Sequence, residues 1–503
     1  MDLLLIVLVC ASTLTFFIFR CLYNQTKSSS NLPPGPRPLP IIGNILELGR
    51  NPPIALSKLS KIYGPIMTLK LGSITTIVIS SPQLAKQVLQ ENSQAFSSRI
   101  TPHAVQIYDH HKFAITWLPP TAQWRNQRRA CATKIFSPKM LDSTKVVRQQ
   151  KLQELLDYVK DKSLKCEVLN LGEAVFTPVL NSFSNTFFSL DLSHSASDEK
   201  SQEFKNIITG AMEDAGRPNV VDFFPILGPL DPQGFHARMS ISFIKLRKII
   251  DAIIEERMCS RVSKTDSGFE VANDVLDSLL SNVGGSSQLS REEMLHLFMD
   301  LFIAGIDTTV VTVEWAMSEL LRNPDKLEKT KDELRQAIGE DATLVESHIL
   351  KLPYLQAVVK ETLRLHPPAP FLVPRKCDED VSISGFLVPK DAQILVNLWA
   401  MGRDPIIWEN PNMFVPERFL DCKIDFKGHN FELIPFGAGK RMCPGLPLAY
   451  RSVHLLLASL LHYFDWKLAD GLTPEHINME ERFAGLSLKK AQALRVQAIS
   501  IKQ

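Results

Sequence analysis

No two cysteines in this chain are spaced C-x-x-C. That removes the zinc ribbon and the redox dithiol from the candidate chemistries. Net charge is also scarce: 56 Lys and Arg against 54 Asp and Glu leave +2, which argues against a nucleic-acid partner. With 23 glycines and 32 prolines among 503 residues, neither a fibrous nor a disordered class is indicated. No internal repeat and no second core signature mark a domain boundary. Length alone would allow two to four domains, but the pattern reads as one large domain.

What is present is a chain that is 45% hydrophobic, enough for a large buried core. Its eight cysteines (Cys10, Cys21, Cys131, Cys166, Cys259, Cys377, Cys422 and Cys443) are scattered. That spacing suits reduced thiols in a cytosol-facing protein, not a disulfide scaffold. Any cysteine chemistry must rest on one of them singly. Leu3 to Phe19 carries no charge over 17 residues, just long enough to cross a bilayer core as a helix. The acidic start at Asp2 and the bulky far end do not suit a cleaved secretory signal. Positive charge follows at Arg20 and Lys27, which predicts a single-pass anchor over residues 1–22 with the rest of the chain in the cytosol. Within the linker at 23–50, Leu32-Pro-Pro-Gly-Pro-Arg-Pro-Leu-Pro40 reads as a stiff extended hinge. Residues 51–503 form the expected body.

In that body, Asn51–Gly64 is helical in pattern. Ile66–Gly72 and Ile74–Ser80 read as a hairpin, and Pro82–Glu91 returns to helix. From Pro138 to about Thr330 the chain is mostly helical. The expected class is mainly α with small β-sheets.

The most specific feature is Phe436-Gly-Ala-Gly-Lys-Arg-Met-Cys-Pro-Gly445, which fits F-x-x-G-x-R-x-C-x-G at every fixed position. A metal-bound cysteine is a thiolate and needs N–H groups and positive charge nearby. Gly437, Gly439 and Gly445 let the backbone turn tightly, and Arg441 offers a cation for an acidic ligand. An apolar helix over Ser452–Leu461 follows, so the sulfur is expected near a helix N-terminus, where the dipole favours negative charge. As a structural thiol in a glycine-rich loop, Cys443 would need none of this. The motif resembles the cysteine-ligand loop of cytochrome P450 enzymes. The resemblance implies a P450 fold, haem b held by Cys443 as the iron ligand, and Phe436 and Arg441 against the macrocycle.

Further motifs support it. Ser290-Arg-Glu-Glu293 is a capping box opening a long apolar helix to about Leu321. Inside it, Ala304-Gly-Ile-Asp-Thr-Thr309 contains poor helix formers, so a local distortion and a groove for dioxygen are expected there. The resemblance makes Asp307 and Thr308 the proton relay of oxygen activation. Glu361 and Arg364 share a helical face; by resemblance they join Arg418, in Pro416-Glu-Arg-Phe419, as a structural triad. If the triad is buried, losing one partner strands a charge at a cost of about 3–5 kcal/mol. Trp124 and Arg128, in W-x-x-x-R, and Arg375 resemble the family's haem-propionate contacts.

The chain looks like plant A-type enzymes, most of all geraniol 8-hydroxylases and their relatives, in Phe431–Gly439, Pro444–Ala449, Val221–Pro225, Asp231–Gly234 and Glu314–Glu319. That resemblance implies hydroxylation of an apolar terpenoid (a geraniol-like monoterpenol, an iridoid, a sesquiterpene or a diterpene), with phenolic or alkaloid substrates as the alternative. It also implies dioxygen, electrons from NADPH through NADPH–cytochrome P450 reductase with cytochrome b5 as a further donor, and a place at the endoplasmic-reticulum membrane. Lys440 is a candidate for the reductase dock. Expected pocket residues are Leu301, Ala304, Pro370, Phe371, Leu372, Ala484 and Gly485. By the same resemblance the loop Thr101–Trp117 is expected to border the pocket; one of its polar residues, His103, Gln106, Tyr108, His110 or His111, could hydrogen-bond a substrate hydroxyl or equally be solvated, and none is assigned a role. Two competing readings are a reductase-independent haem-thiolate isomerase and a haem protein without turnover. The acid–threonine pair disfavours both.

Overall fold

The β-branched runs on either side of Gly72-Ser73 pair antiparallel as their pattern predicts, Ile66 opposite Ile79 and Leu71 opposite Ile74. The computed structural model describes residues 31–195, 198–263, 274–281, 289–339 and 342–501. The expected anchor over residues 1–22, with Arg20 and Lys27 after it, lies outside the described residues. The elements that frame the site are labelled β1 (Ile66–Leu71), β2 (Ile74–Ile79), β3 (Ser98–Arg99), β4 (Arg375–Lys376) and β5 (Gln393–Val396). They form one sheet in the order β1-β2-β5-β4-β3. A separate hairpin pairs β6 (Glu481–Ala484) with β7 (Ser487–Lys490). The remaining sheets are small, and most of the chain is helical, matching the expected class.

Five helices matter most: α1 (Ala122–Ala130), α2 (Leu171–Phe188), α3 (Arg291–Arg322), α4 (Pro353–Leu365) and α5 (Leu446–Tyr463). The start of α3 is the expected capping box. Ser290 Oγ accepts from Glu293 N–H at 3.2 Å, and Ser290 N–H donates to Glu293 Oε2 at 2.7 Å. By length and composition α3 is apolar enough to cross a membrane, but 78% of its most apolar window is buried inside the molecule. It is the central core helix, packed against α2 and α5. Phenylalanines weld α2 to α3: Phe188 meets Phe298 edge-on at 4.8 Å and stacks on Phe302 at 5.8 Å. Gly305 belongs to this contact, because a Cβ there would stand 2.4 Å from the Phe183 ring.

The expected distortion of α3 is a correction. The helix runs unbroken through Ala304–Thr309. The two threonines bond backwards instead, Thr308 Oγ1 to the Ala304 carbonyl and Thr309 Oγ1 to the Gly305 carbonyl, each at 2.7 Å. Such back-bonds satisfy the two hydroxyls within the helix, at a slight cost in helix stability.

On α4, Glu361 and Arg364 are fully buried and joined by two bonds of 2.7 Å, and Arg418 reaches Glu361 at 3.1 Å. Glu361 also accepts from Val415 N–H at 2.7 Å, and Arg364 donates to the carbonyls of Gly402, Pro411 and Met413. The three residues of the expected triad meet, and every charge in it is partnered.

Candidate active site

Between the N-terminus of α5 and the middle of α3 lies a cavity of about 310 Å³. Cys443 opens onto it from the loop before α5, and Ala304, Gly305, Thr308 and Thr309 line it from α3. The loop's shape follows from its glycines. Gly437 and Gly439 have φ of +72° and +67°, which other L-residues rarely adopt. A Cβ on Gly439 would stand 2.0 Å from the Leu89 carbonyl oxygen. Gly445 has an ordinary φ and caps α5, so there the expected tight turn is not needed. Cys443 N–H donates to the Phe436 carbonyl at 2.8 Å. Burial pushes the Cys443 thiol up, while N–H groups of Gly445 and Leu446 and the charge of Arg128 pull it down. Metal binding would expel the proton.

The other side of the cavity is cationic. Arg99, Arg128, Arg375 and Arg441 all line it, with Trp124 among them. Arg441 lies over the Trp124 ring at 4.4 Å and donates to the carbonyls of Ser97, Ile115 and Leu118. Arg375 donates to Phe96 and Ala438, and Arg99 to Val373 and Pro374. All these acceptors are neutral carbonyls. Among the described residues, none of the four arginines has a carboxylate partner. The register of β3 on β4 sets Arg99 directly opposite Arg375, an arrangement that is repulsive by itself. Burial, with the neighbouring guanidiniums, pushes Arg441 down to about 9, and burial pushes Arg375 down to about 10. Arg99 is driven well below its ordinary value by the same causes, and its Nε is buried without a partner among the described residues. A dianionic group in the cavity would satisfy all of this. Uncompensated buried cations on one side and a single thiol beside backbone N–H groups therefore fit a haem. Arg99 was not foreseen. It lies in a two-residue strand with no motif around it, and only its pairing with Arg375 reveals it.

Sequence expectation and geometry agree for most of the site. Phe436, Trp124, Arg128, Arg375, Arg441, Cys443, Thr308, Leu301, Ala304 and Leu372 all reach the main cavity. Phe371 and Gly485 instead line an adjoining cavity of about 120 Å³. Pro370 and Ala484 line neither, a correction to the expected pocket. Pro370 uses its carbonyl to accept from Leu398 N–H, and Ala484 is fully buried in β6. Asp307 does not face the cavity either. Ser487 Oγ donates to its Oδ2 at 2.7 Å and Lys489 Nζ to its Oδ1 at 2.6 Å, so β7 holds it on the far side of α3. Lys440 lies exposed, bonded to Gln94.

A profile described as Cytochrome P450 matches residues 33–494. The chain is 49% identical to "Cytochrome P450 76T24" of Catharanthus roseus, covering 97% of this chain and 98% of that protein. It is 49% identical to the geraniol 8-hydroxylase of the same plant, over 98% and 99%. Against the geraniol 8-hydroxylase of Swertia mussotii the identity is 45%, over 96% and 97%. Likeness of this extent leaves none of the cysteine loop, the arginine cradle or the threonine helix outside the match, and the chain belongs to the cytochrome P450 family, haem-dependent monooxygenases that incorporate oxygen into small molecules with electrons from a redox partner.

Proposed function

We propose that this P450 hydroxylates an apolar terpenoid, of the class of geraniol-like monoterpenols, iridoids, sesquiterpenes or diterpenes. NADPH would supply electrons through NADPH–cytochrome P450 reductase, with cytochrome b5 as an auxiliary donor and Lys440 on the docking side. Residues 1–22 would anchor the chain in the endoplasmic-reticulum membrane as a single pass, leaving the catalytic domain in the cytosol. The observation that carries the reading is a single cavity with Cys443 on one wall, Thr308 on the other and mainly apolar side chains between them, as a hydrocarbon substrate requires. Two relatives of near-complete coverage are named for a terpenoid alcohol.

Each residue has a distinct task in this reading. Cys443 would hold the haem iron through its thiolate and donate electron density to it. Arg99, Arg128, Arg375 and Arg441 would hold its carboxylates, with Trp124 and Phe436 beside it. When bound, haem would supply the activation of dioxygen, with one oxygen atom entering a C–H bond of the substrate and the other leaving as water at the cost of two electrons from NADPH and two protons. Thr308 offers a hydroxyl at the cavity wall. Asp307, one residue earlier, links that wall to Ser487 and Lys489 on β7 and so toward solvent. Apolar walls orient the substrate and exclude water.

The experiment is expression with a plant reductase in microsomes, a carbon-monoxide difference spectrum and a terpenoid panel. The expected results are a thiolate Soret band that is absent in Cys443→Ala, and NADPH-dependent product that falls at least ~10-fold in Thr308→Ala. A thiolate band with no terpenoid product would move the substrate class to phenolics or alkaloids. Haem-loaded, folded protein without that band would sink the haem-thiolate reading.

A further inference from the structure

One wall of the main cavity is polar. His110 and Asp300 both line it, and both are almost entirely buried. Thr116 N–H donates to Asp300 Oδ2 at 2.9 Å, and His110 Nε2 lies 3.1 Å from Asp300 Oδ1. His110 Nδ1 lies 2.8 Å from His296 Nδ1, and His296 Nε2 lies 3.5 Å from an Arg247 nitrogen. A guanidinium can only donate, which leaves His296 Nε2 as an acceptor and puts the proton on its Nδ1. Glu292, 3.6 Å from the same nitrogen, is engaged by Arg247 at 2.9 Å instead. His296 then donates to His110 Nδ1, and His110 Nε2–H donates to Asp300. Every hydrogen in the chain points inward, ending on a carboxyl group at the cavity wall. Phe243 edge-on to His110 and Phe113 stacked on His296 hold the two rings in place. Each Asp300 oxygen has accepted one hydrogen bond and keeps a second lone pair.

A buried acceptor with spare capacity at the wall of an apolar cavity calls for a donor on the ligand. We propose that Asp300, positioned by His110, is the anchor for the hydroxyl group of the substrate. The inference rests on the terpenoid reading above and narrows it to alcohols. It also limits the carbon attacked. Asp300 precedes Thr308 by two helical turns, about 12 Å along the axis. A molecule whose hydroxyl meets Asp300 presents to the Thr308 region carbons at the far end of its chain, not those beside the hydroxyl.

The test uses the full-length, haem-loaded protein and substrate-induced spectral titration, which reads binding without turnover. The probes are geraniol, the hydrocarbon of the same skeleton without the hydroxyl, and a phenol with its deoxy analogue. The expected result is that the alcohol binds about 10- to 100-fold more tightly than its hydrocarbon. That preference should collapse to less than threefold in Asp300→Asn, with the thiolate band unchanged. His110→Phe, which keeps an aromatic ring but removes the hydrogen bond to Asp300, should lower the preference and broaden the product mixture toward carbons nearer the hydroxyl. If neither terpenoid binds but the phenol is preferred and Asp300→Asn abolishes that preference, the terpenoid reading fails and the anchor stands. Equal binding of alcohol and hydrocarbon by the wild type, or a preference that survives Asp300→Asn in whichever pair binds, overturns the proposal.

Discussion

Gly439 shows how much one residue can carry. Its φ of +67° and the Leu89 carbonyl oxygen 2.0 Å from where a Cβ would lie leave no room for a side chain. Gly439→Ala must shift the cysteine loop or the helical segment Gln87–Glu91 that carries Leu89. The expected cost exceeds about 1 kcal/mol, read as a lower melting temperature together with a weakened thiolate band. Gly445, in the same motif, sits at φ −82° and carries no such strain. Lys489 is a second case. It pairs with Asp307 from a partly exposed position on β7, so Lys489→Gln keeps a donor but removes the charge that ties Asp307 toward the surface. Product formed per NADPH consumed should fall a few-fold, with the Soret band intact. An unchanged ratio would remove Lys489 from the proton path.

At the scale of elements, the short strands β3 and β4 do more than close a sheet edge. Their register sets Arg99 opposite Arg375, and like charges directly opposite destabilise a strand pair. Stability is given up there to prepare a site for an anion. Arg99→Met should therefore stabilise the haem-free protein and at the same time speed haem loss to a scavenging apoglobin. Thermal melts with and without haem, and the release rate, check the two halves separately; a variant that loses stability in both states would contradict the assignment. On α3, the phenylalanine weld and Gly305 against Phe183 keep the helix unbroken where its composition suggested a kink. Packing against α2 outweighs the weak helix propensity of Gly, Asp and Thr.

At the scale of the whole molecule, burial sets the pH response. Burial pushes His296 down to about 3 and His454 down to about 4. His454 Nδ1 faces the Tyr450 carbonyl and its Nε2 has no partner among the described residues. In the unfolded chain both histidines titrate near 6.5. Between the unfolded and folded values the unfolded state binds more protons, so stability rises with pH. These two contributions are fully present above about pH 6.5 and are lost as pH falls from there toward 4. Melting temperature should drop between pH 7 and pH 5, and His454→Leu should flatten that slope. An equal slope in the variant would place the acid sensitivity elsewhere.

The sequence by itself determined the class of fold and, for Cys443 and most of the arginines, which side chains reach the cavity, because those depend on local spacing. A capping box, a β-branched hairpin and a glycine-rich cysteine loop are each written within about a dozen residues. The Glu361–Arg364 pair is legible in the same way, from a single helical turn. Tertiary structure alone decided the rest. Arg99 becomes part of the site only through strand register with a residue far along the chain. Asp307 faces β7 and not the cavity because Lys489, also far away in sequence, competes for its charge. His110, His296 and Asp300 form one chain of hydrogen bonds only because a loop and a core helix are brought together. Hydrogen bonds and buried charges between distant segments have no periodicity in the sequence, so their partners exist only once the chain has folded.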